Sequence, residues 1–198
     1  MALVDLAALR QGATRLVGLD RLRGLAIACM IVDHVALLGG LQLVRVTVGR
    51  LALPIFFVLA GALVRRLTWR HGGIFAVGVV LPLVVPWIDS PNVLTLYAVG
   101  AVVLVAGARW WWWPWAVLLV AVTLLANGWG AWPAGGYPPA ALLALLAVGT
   151  LLRRYVGLNA LSEAGEGLPG WLGAIGRRPL TWYVAHLLLL QGLVVMVS

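Results

Sequence analysis

Seven apolar runs, at roughly 24–44, 47–64, 73–88, 92–108, 110–126, 138–152 and 179–197, fill most of this chain and leave only short polar breaks between them. That pattern restricts the fold more than any motif does. In hydrocarbon every backbone N–H and C=O must be satisfied within the protein, so an apolar run of ~20 residues closes its hydrogen bonds as a helix. The third and sixth runs are short for a span. With 63% hydrophobic residues, 10% charged residues and a mean hydropathy of +1.03, a soluble domain of 198 residues has too little interior to hide this surface. The expectation is a single integral-membrane domain over 1–198, an all-α polytopic transmembrane helix bundle of about seven spans.

The charge balance is 14 Arg and no Lys against 6 acidic residues. In a soluble protein that excess would suggest nucleic acid. Distributed between apolar runs it reads as topology, and no nucleic-acid partner is expected. With the N-terminus inside, only Arg45 and Arg50 of the 14 arginines fall outside, the asymmetry of the positive-inside rule, which predicts N-terminus in and C-terminus out. Trp110 to Trp113, with Trp115, mark a membrane interface, where an indole keeps an apolar body and a wet N–H. Residues 1–20 lack the apolar core and cleavage site of a signal peptide. Leu3, Leu6 and Leu9 beside Arg10 and Arg15 suit a short amphipathic surface helix. Cys29, the single cysteine, rules out an intramolecular disulfide and a cysteine metal site, and packing is its expected role. No metal site is expected.

Two longer connections differ in character. Residues 127–139 are rich in Gly and Pro and read as an outer loop. Residues 155–176 read as an inner loop carrying Glu163 and Glu166, and Pro179 suits the first turn of the last helix. Nucleotide-loop, nucleophile-elbow and zincin signatures are absent, so chemistry must come from the few polar residues inside the apolar runs.

Asp33 and His34 lie mid-run in the first span, where an acidic residue costs ~2.5–3.5 kcal/mol on insertion scales and calls for a partner or a wet cavity. As sequence neighbours they point about 100° apart and do not bond one another. Arg50, about one turn into the second span, is the expected partner of Asp33. Eleven helical steps from Arg23 to His34 return to within roughly 20° of the same face and advance about 16 Å, which sets an arginine at the membrane edge below an imidazole near the bilayer middle. In the last span Tyr183 and His186 are three apart and share a face. The same histidines also suit purely structural hydrogen bonding between helices.

Three stretches carry a resemblance. Arg23, ten residues, then His34 resembles the opening motif of the membrane-bound acyltransferase superfamily. Residues 19–27 (LDRLRGLAI) followed by Met30-Ile31-Val32-Asp33-His34 look like the heparan-glucosaminide N-acetyltransferase type and the TraX type. Val48-Gly49-Arg50-Leu51-Ala52-Leu53-Pro54-Ile55-Phe56 is similar to a motif of the TraX family, known for pilin N-terminal acetylation, and Tyr183-(two residues)-His186-Leu187-Leu188-Leu189 looks like that family's closing motif. Residues 71–155 match by hydropathy only. This chain has Arg23 where TraX members often have lysine, and seven runs where larger relatives have about ten spans.

The resemblance implies transfer of an acetyl or short acyl group from cytoplasmic acyl-CoA, acetyl-CoA first among donors, to an amine or hydroxyl on a small-molecule, peptide or glycan acceptor. It also implies a bacterial inner membrane. Arg23, with Arg21 and Asp20 in the same motif, would meet the donor, since a guanidinium fork holds phosphate or carbonyl oxygens. His34 would act as general base or take the acyl group itself, with Asp33 beside it, and Arg50, Tyr183 or His186 would supply a donor to the oxyanion. Two other readings stay open: an acyltransferase acting on a glycan or lipid hydroxyl at the outer leaflet, and a non-enzymatic carrier, channel or assembly scaffold built on an Asp33, His34 and Arg50 network. A homodimer stays open too.

Overall fold

The computed structural model describes residues 16–85, 93–107, 110, 112–126 and 139–197. Among them all regular structure is helical: α1 (Val17–Leu38), α2 (Gln42–Thr47), a 3₁₀ turn (Gly49–Leu51), α3 (Ala52–Leu63), α4 (Trp69–Val84), α5 (Val93–Gly107), α6 (Trp113–Ala126), α7 (Pro139–Tyr155), α8 (Leu158–Glu166), α9 (Gly170–Gly176) and α10 (Pro179–Val197). Among the described residues each apolar run overlaps at least one helix. Two helical stretches, Gln42–Leu63 and Pro179–Met196, are long and apolar enough to cross a membrane, and a third qualifies if Ala140–Tyr155 and Leu158–Glu166, bent by 104°, form one broken span. Trp69–Val84, Leu94–Gly107 and Trp113–Leu124 are shorter apolar helices. Leu83 is 81% exposed, Leu43 78% and Met196 84%, so these helices present apolar side chains outward as well as inward, as lipid-facing helices do. The amphipathic stretch expected before residue 16 and most of the 127–139 loop lie outside the described residues.

The bounds of α1 correct the expected 24–44. The helix starts seven residues earlier and stops at Leu38, because Gly40 adopts φ +68° and closes a C-cap: Leu41 N–H donates to Ala36 O at 2.8 Å and Gly40 N–H to Leu37 O at 3.4 Å. Those paired bonds are the Schellman pattern, and glycine enters the left-handed region without a Cβ clash. His34 thus lies four residues, about 6 Å, from the end of α1 and not at its middle.

A second correction concerns 155–176, which folds into α8 and α9 and clasps the first half of α1. Helix backbones touch here. A Cβ on Gly24 would lie 1.9 Å from Leu172 O, and one on Gly176 1.7 Å from Asp20 O. Glycine at these positions is what allows the approach, the small-residue contact that membrane helices use when no hydrophobic effect drives them together. The α3–α7 seam repeats the device with Gly61 and Gly149. Thr150 Oγ1 donates to Gly61 O at 3.2 Å and Arg153 Nη1 to Ala62 O at 3.0 Å along it.

Two apolar clusters result. One gathers Ile27, Met30, Leu81, Leu94, Tyr183 and Leu187, the other Phe57, Ala60, Leu104, Trp113, Leu142 and Leu146. Cys29 is buried with the first as a free thiol. Pro179 opens α10, the position where its missing N–H costs nothing.

Candidate functional site

A cavity of about 170 Å³ lies where the two clusters meet. Ile27 and Met30 of α1, Phe56 and Ala60 of α3, and Leu94 and Tyr97 of α5 form its apolar body. Arg23 and Tyr183 are among its lining residues, and Pro179 and Leu180 close it from α10. Residues 23, 27, 30 and 34 follow the spacing of one helix face, so the cavity wall on α1 leads toward His34. His34 itself does not line the cavity. Tyr183 lines it and touches His186, the partner of His34.

Arg23 Nη1 meets Asp20 Oδ1 at 3.1 Å, one turn back on the same helix. Asp20 is only 5% exposed, and its backbone lies against Gly176. This pair orients the guanidinium at the cavity. Arg21, expected beside Arg23 as a donor ligand, turns instead to the other side and donates from Nη1 to Glu166 O, which ties α1 to the end of α8. The three residues do not converge on one ligand position in this structure.

At the other end, His34 Nδ1 and His186 Nε2 are 2.8 Å apart, and His186 Nδ1 lies 2.9 Å from Trp182 O. A carbonyl only accepts, so His186 Nδ1 carries the hydrogen. In the neutral pair His186 Nε2 is then the acceptor, His34 Nδ1 the donor, and the basic lone pair resides on His34 Nε2. One backbone carbonyl therefore fixes the tautomers of both rings. The Tyr183 ring meets His186 edge-on with centroids 5.6 Å apart, which joins the cavity wall to the histidine pair. Helices α1 and α10 supply these groups from residues 152 apart in sequence.

Asp33 pairs with Arg45, Nε to Oδ1, at 3.5 Å. That corrects the expected partner. The turn at Gly39 and Gly40 starts the next helix at Gln42, which folds Arg45 back over the end of α1, while Arg50 acts on Asp33 electrostatically. The glycine before Arg50 has a direct reason: a Cβ on Gly49 would lie 2.5 Å from Asp33 Oδ1 and 2.8 Å from Asp33 Cα. Asp33, His34 and His186 are thus brought to the C-terminal end of α1, with Arg50 near Asp33, whereas Tyr183 lines the cavity together with Arg23 and touches His186.

Sequence reasoning missed Arg45 and Tyr97. Arg45 was one of only two arginines on the predicted outer side, facing the lone acid of the first span, and that coincidence was the available signal. Tyr97 contacts Phe56 edge-on at 5.5 Å and stacks on His71 at 6.1 Å, contacts between helices that no local pattern announces. Comparison with family models, with curated proteins and with solved structures found no match.

Proposed function

We propose that this chain is a membrane acyltransferase that moves an acetyl or short acyl group from acyl-CoA to an amine or hydroxyl, with His34 as general base. The observation that carries the proposal is the line from Arg23 through an apolar cavity to Tyr183 and the His186–His34 pair. A donor thioester needs an anchor for its anionic and carbonyl oxygens and, some distance on, a base poised at the reacting carbon. Arg23 suits the first task. His34, whose Nδ1 is engaged by His186, suits the second, since a base held by a third group is oriented before its substrate arrives.

In the proposed step the acceptor nitrogen or oxygen attacks the thioester carbonyl as its proton passes to His34 Nε2. The carbon–sulfur bond then breaks, and the leaving thiolate takes that proton back. Tyr183, which lines the cavity and touches His186, is the candidate donor to the oxyanion. The full reading has seven spans, an inside N-terminus, an outside C-terminus and a bacterial inner membrane. The inner arginines would draw the donor's phosphates to the Arg23 end.

Purified protein supplied with acetyl-CoA and a panel of amine and hydroxyl acceptors tests this reading. His34→Asn, whose amide nitrogen stands where Nδ1 does, keeps a donor to His186 but cannot shuttle a proton, and should fold normally while losing ~10²- to 10⁴-fold in rate. Near-normal transfer by that variant would make the histidine pair a structural link between helices.

A further inference from the structure

A second cavity, of about 260 Å³, opens between α3, α5, α6 and α7, and Val64 lines both it and the first. Its walls include Arg65, Arg154, Trp110, Trp113 and Thr150, and no carboxylate is among its described lining residues. The volume far exceeds the roughly 10–15 Å³ that a single water requires. Arg65 stands close enough to Arg153 for the two like charges to interact, and burial together with that neighbour holds the Arg65 guanidinium below its ordinary value. Arg153 is anchored to Ala62 O, so it cannot simply swing away without breaking that bond. Like charges gathered around a cavity are stabilised by an anion entering it.

The aromatic residues narrow the choice of anion. Trp113 is buried and packs on Gly107, whereas Trp110 is 54% exposed and Trp112 50%, so an indole shelf runs outward from the cavity mouth. Indoles beside arginines at the ends of apolar helices are the furniture of the headgroup layer of a bilayer. Basic pockets between membrane helices hold phospholipid headgroups in that layer.

We propose that this cavity is a binding site for an anionic phospholipid, its phosphate held by Arg65 and Arg154 and its glycerol and first methylenes lying on Trp110 and Trp113. The fork of each guanidinium matches two phosphate oxygens, and the bound lipid would tie the end of α3 to the end of α7.

The test uses the whole protein in phosphatidylcholine nanodiscs, with and without phosphatidylglycerol, and reads the thermal unfolding midpoint. Phosphatidylglycerol should raise the midpoint of the wild type by about 2–4 °C, the shift of a ligand that binds only the folded state at moderate saturation. Arg65→Gln with Arg154→Gln should match the wild type in phosphatidylcholine and lose that rise. If the double variant does not fold, Arg65→Gln alone should lose most of it. An equal rise in the variant, or no rise in the wild type, overturns the site. Glycerol 3-phosphate or adenosine 3′,5′-diphosphate added to wild type in phosphatidylcholine separates the sources. Either compound matching phosphatidylglycerol would make this a soluble-phosphate site and overturn the lipid assignment.

Discussion

In its first third α1 meets its neighbours through bare backbone, whereas in its last third it meets them through charged and hydrogen-bonding side chains. Gly18 and Gly24 lie against the carbonyls of Ser162 and Leu172, and Gly165 and Gly176 return the contact onto Gly18 and Asp20. Around Asp33 and His34 the partners are a guanidinium at 3.5 Å and an imidazole at 2.8 Å. Backbone contact leaves nothing to rotate and nothing to titrate, so it fixes position. Side-chain contact can rearrange, exchange a proton or admit a ligand. Rigidity at one end and adaptable polar groups at the other would suit the proposed site, whose anchor has to stay still.

The largest expected effect attacks the rigid end. Gly24→Ala places a methyl 1.9 Å from Leu172 O, a clash with main chain that no rotamer relieves. The loss should exceed ~3 kcal/mol, the upper end of ordinary overpacking, and little monodisperse protein should elute in detergent. A well-folded Gly24→Ala protein would mean that α1 and α9 do not approach this closely.

A middle effect is expected at the polar end. Arg45→Ala leaves Asp33 without its ion-pair partner and with the electrostatic influence of Arg50, and should cost about 1–3 kcal/mol, below the ~3–5 kcal/mol of a fully buried pair because both side chains keep some exposure. Asp33→Asn removes the charge that needed a partner and should cost less. Unfolding midpoints in one detergent rank the two, and a reversed order would show that Arg45 is not what neutralises Asp33.

The smallest effect sharpens the contrast within a single helix. Gly173 is on α9 beside the clasp, yet a Cβ there meets only Arg21 Cγ at 3.5 Å, ordinary contact. Gly173→Ala should therefore be neutral or stabilise by up to ~1 kcal/mol through helix propensity. Destabilisation comparable to that of Gly24→Ala would show that all the glycines of this region are equally confined.

What the sequence made legible follows from the same division. Apolar runs announce helices wherever they lie, and each of the seven overlaps helix among the described residues, although their bounds differ. Tyr183 and His186 could be paired because three residues apart is a local relation on one helix, and the common face of Arg23 and His34 is local too. Helices α8 and α9 could not be read that way: they are nine and seven residues long, too short to be stable by propensity, and they exist because α1 offers glycines to lie against. Arg45 was hidden by a boundary. The reading began the second span at 47, whereas the chain turns at Gly40 and begins helix at Gln42. The cavity between the clusters depends on five helices at once and has no signature in any one of them.

The two anchorages of α1 also turn the ten residues between Arg23 and His34 into a gauge. Because the glycine contacts hold one end and the Asp33, Gly49 and His186 contacts hold the other, neither sliding nor rolling can absorb a change of length. One inserted residue would turn His34 by about 100° away from His186 and push it about 1.5 Å further along, and a four-residue insertion, nearest to a whole turn, would still carry it about 6 Å past its partner. The separation of the two motif residues is therefore a dimension of the molecule, set in the same way that the bore of a barrel sets what passes through it.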